Sequence, residues 1–271
     1  MRLNEYYDVA LDLVKQAGAI IREKINRPKD VSLKSCDVDL VTESDKEVEK
    51  LFMGGISSRY PDHRFIGEET TASGAKAQLT DAPTWVIDPI DGTMNFVHGL
   101  PHTCISVALL VDKVTEMGFV YNPVIEQLFT ARRGQGAFLN GKPIKVSGER
   151  ELGKTLLMAE MGTSRNAEKM KAVMENLQIL VPKVHGIRTL GSAALNMCMV
   201  AMGGADANFE FGVHVWDFAA GDLIVREAGG VVIDPADGPL DLMSGRVLCA
   251  SSMEVAKEIA KLLVQYYPER D

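Results

Sequence analysis

Apolar positions at Leu3, Tyr7, Ala10, Leu11, Val14, Ala17, Gly18 and Ile21 recur at helical spacing and predict an amphipathic first helix, which Pro28 follows. Residues 29–39 are polar and mixed and read as a loop. A second helix is predicted from about Asp45 to Tyr60, with Val48, Leu51, Phe52 and Ile56 on one face and Pro61 closing it. From Trp85 to Lys145 the period changes. Short β-branched or aromatic runs at 84–87, 103–111, 114–121 and 125–131 predict strands, and Asn140-Gly141, between residues 137–139 and 144–146, signals a hairpin. This half reads as an antiparallel meander. The second half alternates: strands at 155–159, 205–209, 231–233 and 247–250, and helices at 166–180, 191–202, 217–228 and 255–264. Gly229-Gly230 is a C-terminal capping pattern. The interleaving predicts a mixed α+β (α/β) fold in layers, one domain with two lobes of about 1–150 and 151–271.

With 271 residues, 46% of them hydrophobic and 24% charged, the chain has ordinary globular composition and room for a sizeable core. The net charge of −8 argues against a nucleic-acid or anionic-membrane partner. The first residues lack the apolar segment of a signal peptide, and no apolar run approaches the ~18 residues of a membrane span. Cys36, Cys104, Cys198 and Cys249 form no C-x-x-C pair and read as reduced thiols, small buried hydrophobes in a cytoplasmic protein.

The chemistry concentrates at Trp85-Val86-Ile87-Asp88-Pro89-Ile90-Asp91-Gly92-Thr93. An apolar strand delivers Asp88 to its end, Pro89 forces an extended or turn backbone, and Asp91 comes three residues later. Two carboxylates can then converge while the Gly92 and Thr93 N–H groups open a helical turn. Carboxylates and a main-chain carbonyl are hard oxygen ligands suited to Mg²⁺, and a helix start suits phosphate. Taken alone, the spacing favours an Asx-type turn capping a helix by a wide margin. Its company shifts the balance: Glu68 follows a strand signal at Phe65-Ile66, Asp45 begins the second helix, and Asp217 opens Trp216-Asp217-Phe218-Ala219-Ala220-Gly221. Asp217 taken alone is a capping residue. The small Ala219-Ala220-Gly221 run would let another backbone approach.

The segments G-E-E, D-P-I-D-G-T and W-D-x-A-A-G, in this order, resemble the inositol monophosphatase family. The likeness covers nearly the whole chain, and Val184-His185-Gly186-Ile187-Arg188 and Gly203-Gly204-Ala205-Asp206-Ala207 are similar to its animal-type members. Met94 departs from the Thr that many members carry. The resemblance implies a layered α-β-α-β-α sandwich of the inositol monophosphatase / fructose-1,6-bisphosphatase type. It also implies two to three Mg²⁺ ions, sensitivity to Li⁺ and a homodimer. The first ion would be held by Glu68, Asp88 and the Ile90 carbonyl, the second by Asp88, Asp91 and Asp217, and a weaker third by Glu68. Glu68, and Thr93 bonded to Asp45, would activate the attacking water. Gly92 and Thr93 would bind phosphate, and Asp91, Ser192, Ala193, Glu210 and Asp217 would lie against the substrate. The implied activity is hydrolysis of myo-inositol monophosphates without a phosphoenzyme. A sugar-phosphate or 3′-phosphonucleotide phosphatase, or an inactive binding scaffold, are the alternatives.

Other signals read as structural. His98 and His102 have zinc spacing only on a helix, which Gly99 and Pro101 disfavour. Gly134-Gln135-Gly136 lacks the third glycine of a dinucleotide loop and reads as a turn. Met197, Met199 and Met202 read as core or interface filler, and His214 as a core histidine or substrate wall. Lys34 lies in a polar loop that could close over the site or be solvated.

Overall fold

The computed structural model describes residues 2–34 and 40–270, so Cys36 lies outside the described residues. Helix α1 (Leu3–Lys24) buries Ala10, Leu13, Val14, Ala17, Gly18 and Ile21, the predicted face. The segment expected as a loop instead contributes β1 (Val31–Leu33), paired antiparallel with β2 (Leu40–Thr42). Three exposed residues are too few to show a strand period. Helix α2 (Glu43–Ser57) starts two residues before Asp45 because Thr42 caps it. The Thr42 hydroxyl accepts from Ser44 N (3.2 Å), and Asp45 Oδ2 accepts from Thr42 N (2.8 Å).

Strand β3 (Arg64–Gly67) leads into the short helix α3 (Glu68–Ala72). The Glu49 carboxylate accepts from Glu69 N and Thr70 N, each at 2.9 Å, and so caps α3. Then follow β4 (Thr84–Asp91), α4 (Thr93–His98), β5 (Cys104–Val111), β6 (Val114–Asn122), β7 (Gln127–Arg132), β8 (Ala137–Leu139) and β9 (Lys142–Pro143). They form a seven-stranded sheet in sequence order from β3, antiparallel except for β3 beside β4. Asn140 (φ 50°) and Gly141 (φ 76°) make the predicted tight turn. The return strand is Lys142–Pro143 rather than 144–146, because a two-residue turn pairs Leu139 with Lys142. Beyond it the chain leaves the sheet, and Val146 N donates to Ala228 O at 3.1 Å.

The second half supplies β10 (Leu156–Ala159), α5 (Ala167–Leu180), β11 (Gly186–Arg188), α6 (Ala193–Ala201), β12 (Ala207–Phe211), α7 (Val215–Glu227), β13 (Val231–Ile233), β14 (Arg246–Ala250) and α8 (Met253–Leu262). The five-stranded sheet runs β11-β10-β12-β14-β13. The sequence reading missed β11, a three-residue edge strand. Helix α7 begins two residues before Asp217, which places that residue in its first turn.

Strand alternation assigns the layers. Trp85, Ile87, Ile105, Val107, Leu109, Met117 and Phe119 pack with α1 and α2 on one face of the large sheet. Val86, Cys104, Ala108, Leu110 and Val120 pack with α6 and α7 on the other. The small sheet lies beyond α6 and α7, and α8 covers its far face through Val255, Ala256 and Ile259. This is the five-layer sandwich that the family resemblance implies. The central contact is tight. A Cβ on Gly118 of β6 would lie 2.9 Å from Ala220 O of α7, and one on Gly221 would meet Met197 of α6 at 2.9 Å. The small Ala219-Ala220-Gly221 run thus does admit a neighbouring backbone.

Two glycines should respond oppositely to alanine. Gly118→Ala overpacks the β6–α7 contact and should cost about 1–3 kcal/mol. Gly54, in α2 with nothing within 4 Å of its Cβ position, should gain up to about 1 kcal/mol as alanine. Urea unfolding of the two variants checks both signs.

Candidate active site

Asp88 and Asp91 sit three apart, which in a regular strand places them on opposite faces. The register shows why they do not diverge. Asp88 pairs with Ser106 and Asp91 with Cys104, so β4 carries one extra residue against β5. This β-bulge resets the alternation, turning Ile90 into the α1–α2 core and Asp91 onto the face of Asp88. Pro89 occupies the bulge, where its missing N–H breaks no ladder bond. Asp217, from the first turn of α7 beneath the sheet, completes the set. Carboxylate oxygens of Asp88, Asp91 and Asp217 all lie within 4.8 Å of one another.

Each carboxylate is fixed by short local bonds. Asp91 Oδ2 accepts from the Ser192 hydroxyl (2.5 Å) and from Ala194 N (2.8 Å), so it sits on the N-terminus of α6. The Ser192 hydroxyl also accepts from Leu195 N as the α6 cap. Asp88 Oδ1 accepts from Ile90 N at 3.0 Å, and Asp217 Oδ2 from His214 N at 2.6 Å. Glu68 arrives beside Asp88 because β3 runs parallel to β4, with Gly67 opposite Ile87. The Thr93 hydroxyl lies 2.9 Å from Ile90 O and 3.3 Å from Asp45 Oδ1. Asp45 is fully buried and held by the Thr42 cap. Gly92 (φ 82°) has no room for a side chain: a Cβ would lie 3.0 Å from both Gly191 O and His102 O.

Electrostatics is the cost of this geometry. Burial raises the pKa of Asp88 well above the usual carboxylate range, and the like charges of Glu68, Asp91 and Asp217 push it further. Burial lifts Asp91 to about 6, against its bonds from Ser192 and Ala194. Asp217 reaches about 7 through burial, with His214 opposing. Asp45 reaches about 6 and Glu69 about 7, both chiefly through burial. Lys34 is the cation at this rim. Its Nζ donates to Glu68 Oε1 (2.6 Å) and Glu69 Oε1 (2.5 Å). Burial disfavours its charge, but the two carboxylates outweigh burial and hold its pKa above the lysine value. Of the two readings of Lys34 from sequence, the one over the site is the one seen.

The structure therefore gathers Glu68, Asp88, Ile90, Asp91, Thr93, Asp45 and Asp217. Ser192 stands behind Asp91, and Ala193 opens α6. Glu210, on β12, is buried near Asp91 and Asp217, and burial with the charge of Glu160 drives its pKa well up. His214 is exposed, so its reading as a core histidine is corrected; its ring stacks on Trp216 at 4.6 Å. His98 ends α4 and His102 lies beyond Gly99, so the two share no helix. Gly134 N and Gly136 N both donate to Glu227 at 2.8 Å, so that loop binds the protein's own carboxylate. Cys104, Cys198 and Cys249 are buried and free. Sequence reasoning missed Glu69, Glu49 and Lys169, whose roles depend on neighbours distant in the chain. Among the described residues, no helix is long and apolar enough to cross a membrane.

Residues 2–267 match the family described as "Inositol monophosphatase family". The chain is 49% identical to inositol monophosphatase 1 of Mus musculus over 95% of its length and 93% of that protein's. It is 48% identical to inositol monophosphatase 2 of Rattus norvegicus, over 96% and 90%. Its fold superposes on the extragenic suppressor protein suhB of Bartonella henselae with a TM-score of 0.86, at 30% identity, covering 95% of this chain and 98% of that one. A bulged strand carrying Asp88 and Asp91, a helix start carrying Asp217, and this breadth of similarity give one conclusion: the chain belongs to the inositol monophosphatase family.

Proposed function

We propose that this protein is a Mg²⁺-dependent phosphomonoesterase that hydrolyses myo-inositol monophosphates by direct attack of water. The observation that carries the reading is the convergence of Asp88, Asp91 and Asp217 on one buried point with Glu68 beside them. The donor set is all oxygen, buried and of one sign, which fits a hard divalent cation. Glu68, Asp88 and the Ile90 carbonyl would hold one ion, and Asp88, Asp91 and Asp217 a second; Glu68 would serve a weaker third. Bound divalent cations would offset the phosphate's charge and make a nearby water a better nucleophile.

The chain's own groups then do the positioning. Thr93, anchored between Ile90 O and Asp45, would orient the attacking water, and Glu68 would accept its proton. Water oxygen bonds to phosphorus as the ester P–O bond breaks, and the departing alkoxide takes a proton. Gly92 and Thr93 present N–H groups to the phosphate. Asp91, Ser192, Ala193, Glu210 and Asp217 border the rest of the substrate, and a carboxylate such as Glu210 suits hydroxyls better than a nucleobase. Inhibition by Li⁺, a homodimer and a cytoplasmic location belong to the same proposal.

Release of inorganic phosphate from myo-inositol 1-phosphate tests the activity. Mg²⁺ should support turnover, Ca²⁺ should fail or inhibit, and excess chelator should abolish it. In a panel, inositol monophosphates should exceed galactose 1-phosphate and 3′-phosphoadenosine substrates; the reverse order would transfer the reading to those substrates.

Asp88→Asn should lower kcat more than a hundredfold, since an amide lacks the negative charge with which Asp88 would hold the divalent cations. The same variant makes a stability prediction for the metal-free protein. Folded carboxyls with raised pKa values bind protons that the unfolded chain has released, so stability falls as pH rises from about 4 to 7. Asp88→Asn removes one repelling charge, so its unfolding temperature should exceed the wild type's at pH 8, with the gap closing near pH 5.

A further inference from the structure

Lys169, in the first turn of α5, is 1% exposed, and its Nζ has no hydrogen-bond partner. Buried lysine stems are ordinary; a buried ammonium with nothing to donate to is not. The surrounding backbone makes a slot for it. A Cβ on Gly162 would lie 2.5 Å from Lys169 Nζ, and one on Gly212 would lie 2.9 Å away. Both glycines have positive φ, 64° and 74°.

Across the slot stands Glu210, 6% exposed, whose Oε2 also lacks a partner. Its Oε1 lies 3.6 Å from the same Gly162 Cβ position. The two opposite charges thus flank one glycine, yet they form no ion pair within 4.0 Å. Each would gain by closing on the other, and neither does. What satisfies both is a group between them that accepts from an ammonium and donates to a carboxylate. A hydroxyl does both. A second anion on the substrate does not fit, because Glu210, Glu160, Asp217 and Asp91 share this neighbourhood, with Arg165 the other cation near Lys169. The covering segment is thin: Met161, Thr163 and Arg165 beside the slot are exposed.

We propose that Lys169 and Glu210 together bind one hydroxyl of the substrate, Lys169 Nζ donating to its oxygen and the Glu210 carboxylate accepting its hydrogen. Lys169 is then a specificity-determining residue. This rests on the reading of the site as a polyol-phosphate hydrolase and adds a donor to it.

The test compares kcat/KM for myo-inositol 1-phosphate with that for propyl phosphate, which has no hydroxyl to offer. Lys169→Met should shift the ratio at least about tenfold against the inositol ester, the value of one charge-assisted hydrogen bond, chiefly through KM. Glu210→Gln should shift it the same way. The double variant should fall well short of the product of the two singles, because both act on one hydroxyl. Lys171→Met, an exposed lysine two residues on, should leave the ratio alone. Circular dichroism checks folding, and if Lys169→Met is unfolded, Lys169→Gln decides by the same ratio. An unchanged ratio overturns the proposal and leaves a bridging water in the slot. An equal loss on both substrates also overturns it, assigning Lys169 to support of the site. Failure of the wild type to hydrolyse the inositol ester would instead overturn the proposed activity.

Discussion

The constraint on which this structure turns is the mutual repulsion of carboxylates forced together out of water. Asp88, Asp91 and Asp217 have oxygens within 4.8 Å of one another, and Glu68 adjoins them. Like charges at such distances in a poorly hydrated interior oppose folding unless protons or cations intervene. No hydrophobic arrangement requires this cluster. The sequence supplies it through a bulge in an otherwise regular, fully buried strand, and the rest of the fold holds the bulge in place.

Three devices act together. Helix α6 offers its N-terminus to Asp91 through Ser192 and Ala194 N, giving one carboxylate a compensating partial charge. Helix α7 presses so close to β6 that its Ala220 carbonyl leaves no room for a side chain on Gly118, which brings Asp217 under the sheet. Lys34 closes on Glu68 and Glu69 at the rim. An ammonium bonded to these carboxylates shows the sign of charge the site favours. Core packing and site construction are therefore one problem: the layers that bury Trp85, Val86 and Leu109 also set where the acids meet.

Much of this was legible in the sequence because the signals are local. Helix periodicity gave α1 and α2, short β-branched runs gave the meander, and Asn140-Gly141 marked its tight turn. D-x-x-D and W-D-x-A-A-G marked the acids. What escaped depends on partners far along the chain. The bulge needs β5 as its reference, since an extra residue exists only relative to a neighbour. The edge strands β1 and β11 have three residues each, too few to show a period. Thr42 extended α2 toward its N-terminus by capping where apolar spacing alone began the helix at Asp45. Lys169 reads as one more surface lysine near a helix start, and only the fold places its amine between Gly162 and Gly212.

The central claim, that these acids are assembled to hold divalent cations, is tested most directly by the dependence of thermal unfolding on Mg²⁺ at two pH values. A ligand that binds only the folded state raises its stability with concentration. At pH 8 the carboxyls of Asp91 and Asp217, whose pKa values stand at about 6 and 7, are ready to bind, whereas at pH 5 protons compete for them. Mg²⁺ should therefore raise the unfolding temperature markedly at pH 8 and much less at pH 5. An unfolding temperature indifferent to millimolar Mg²⁺ at pH 8, or a shift equal at both pH values, would contradict it.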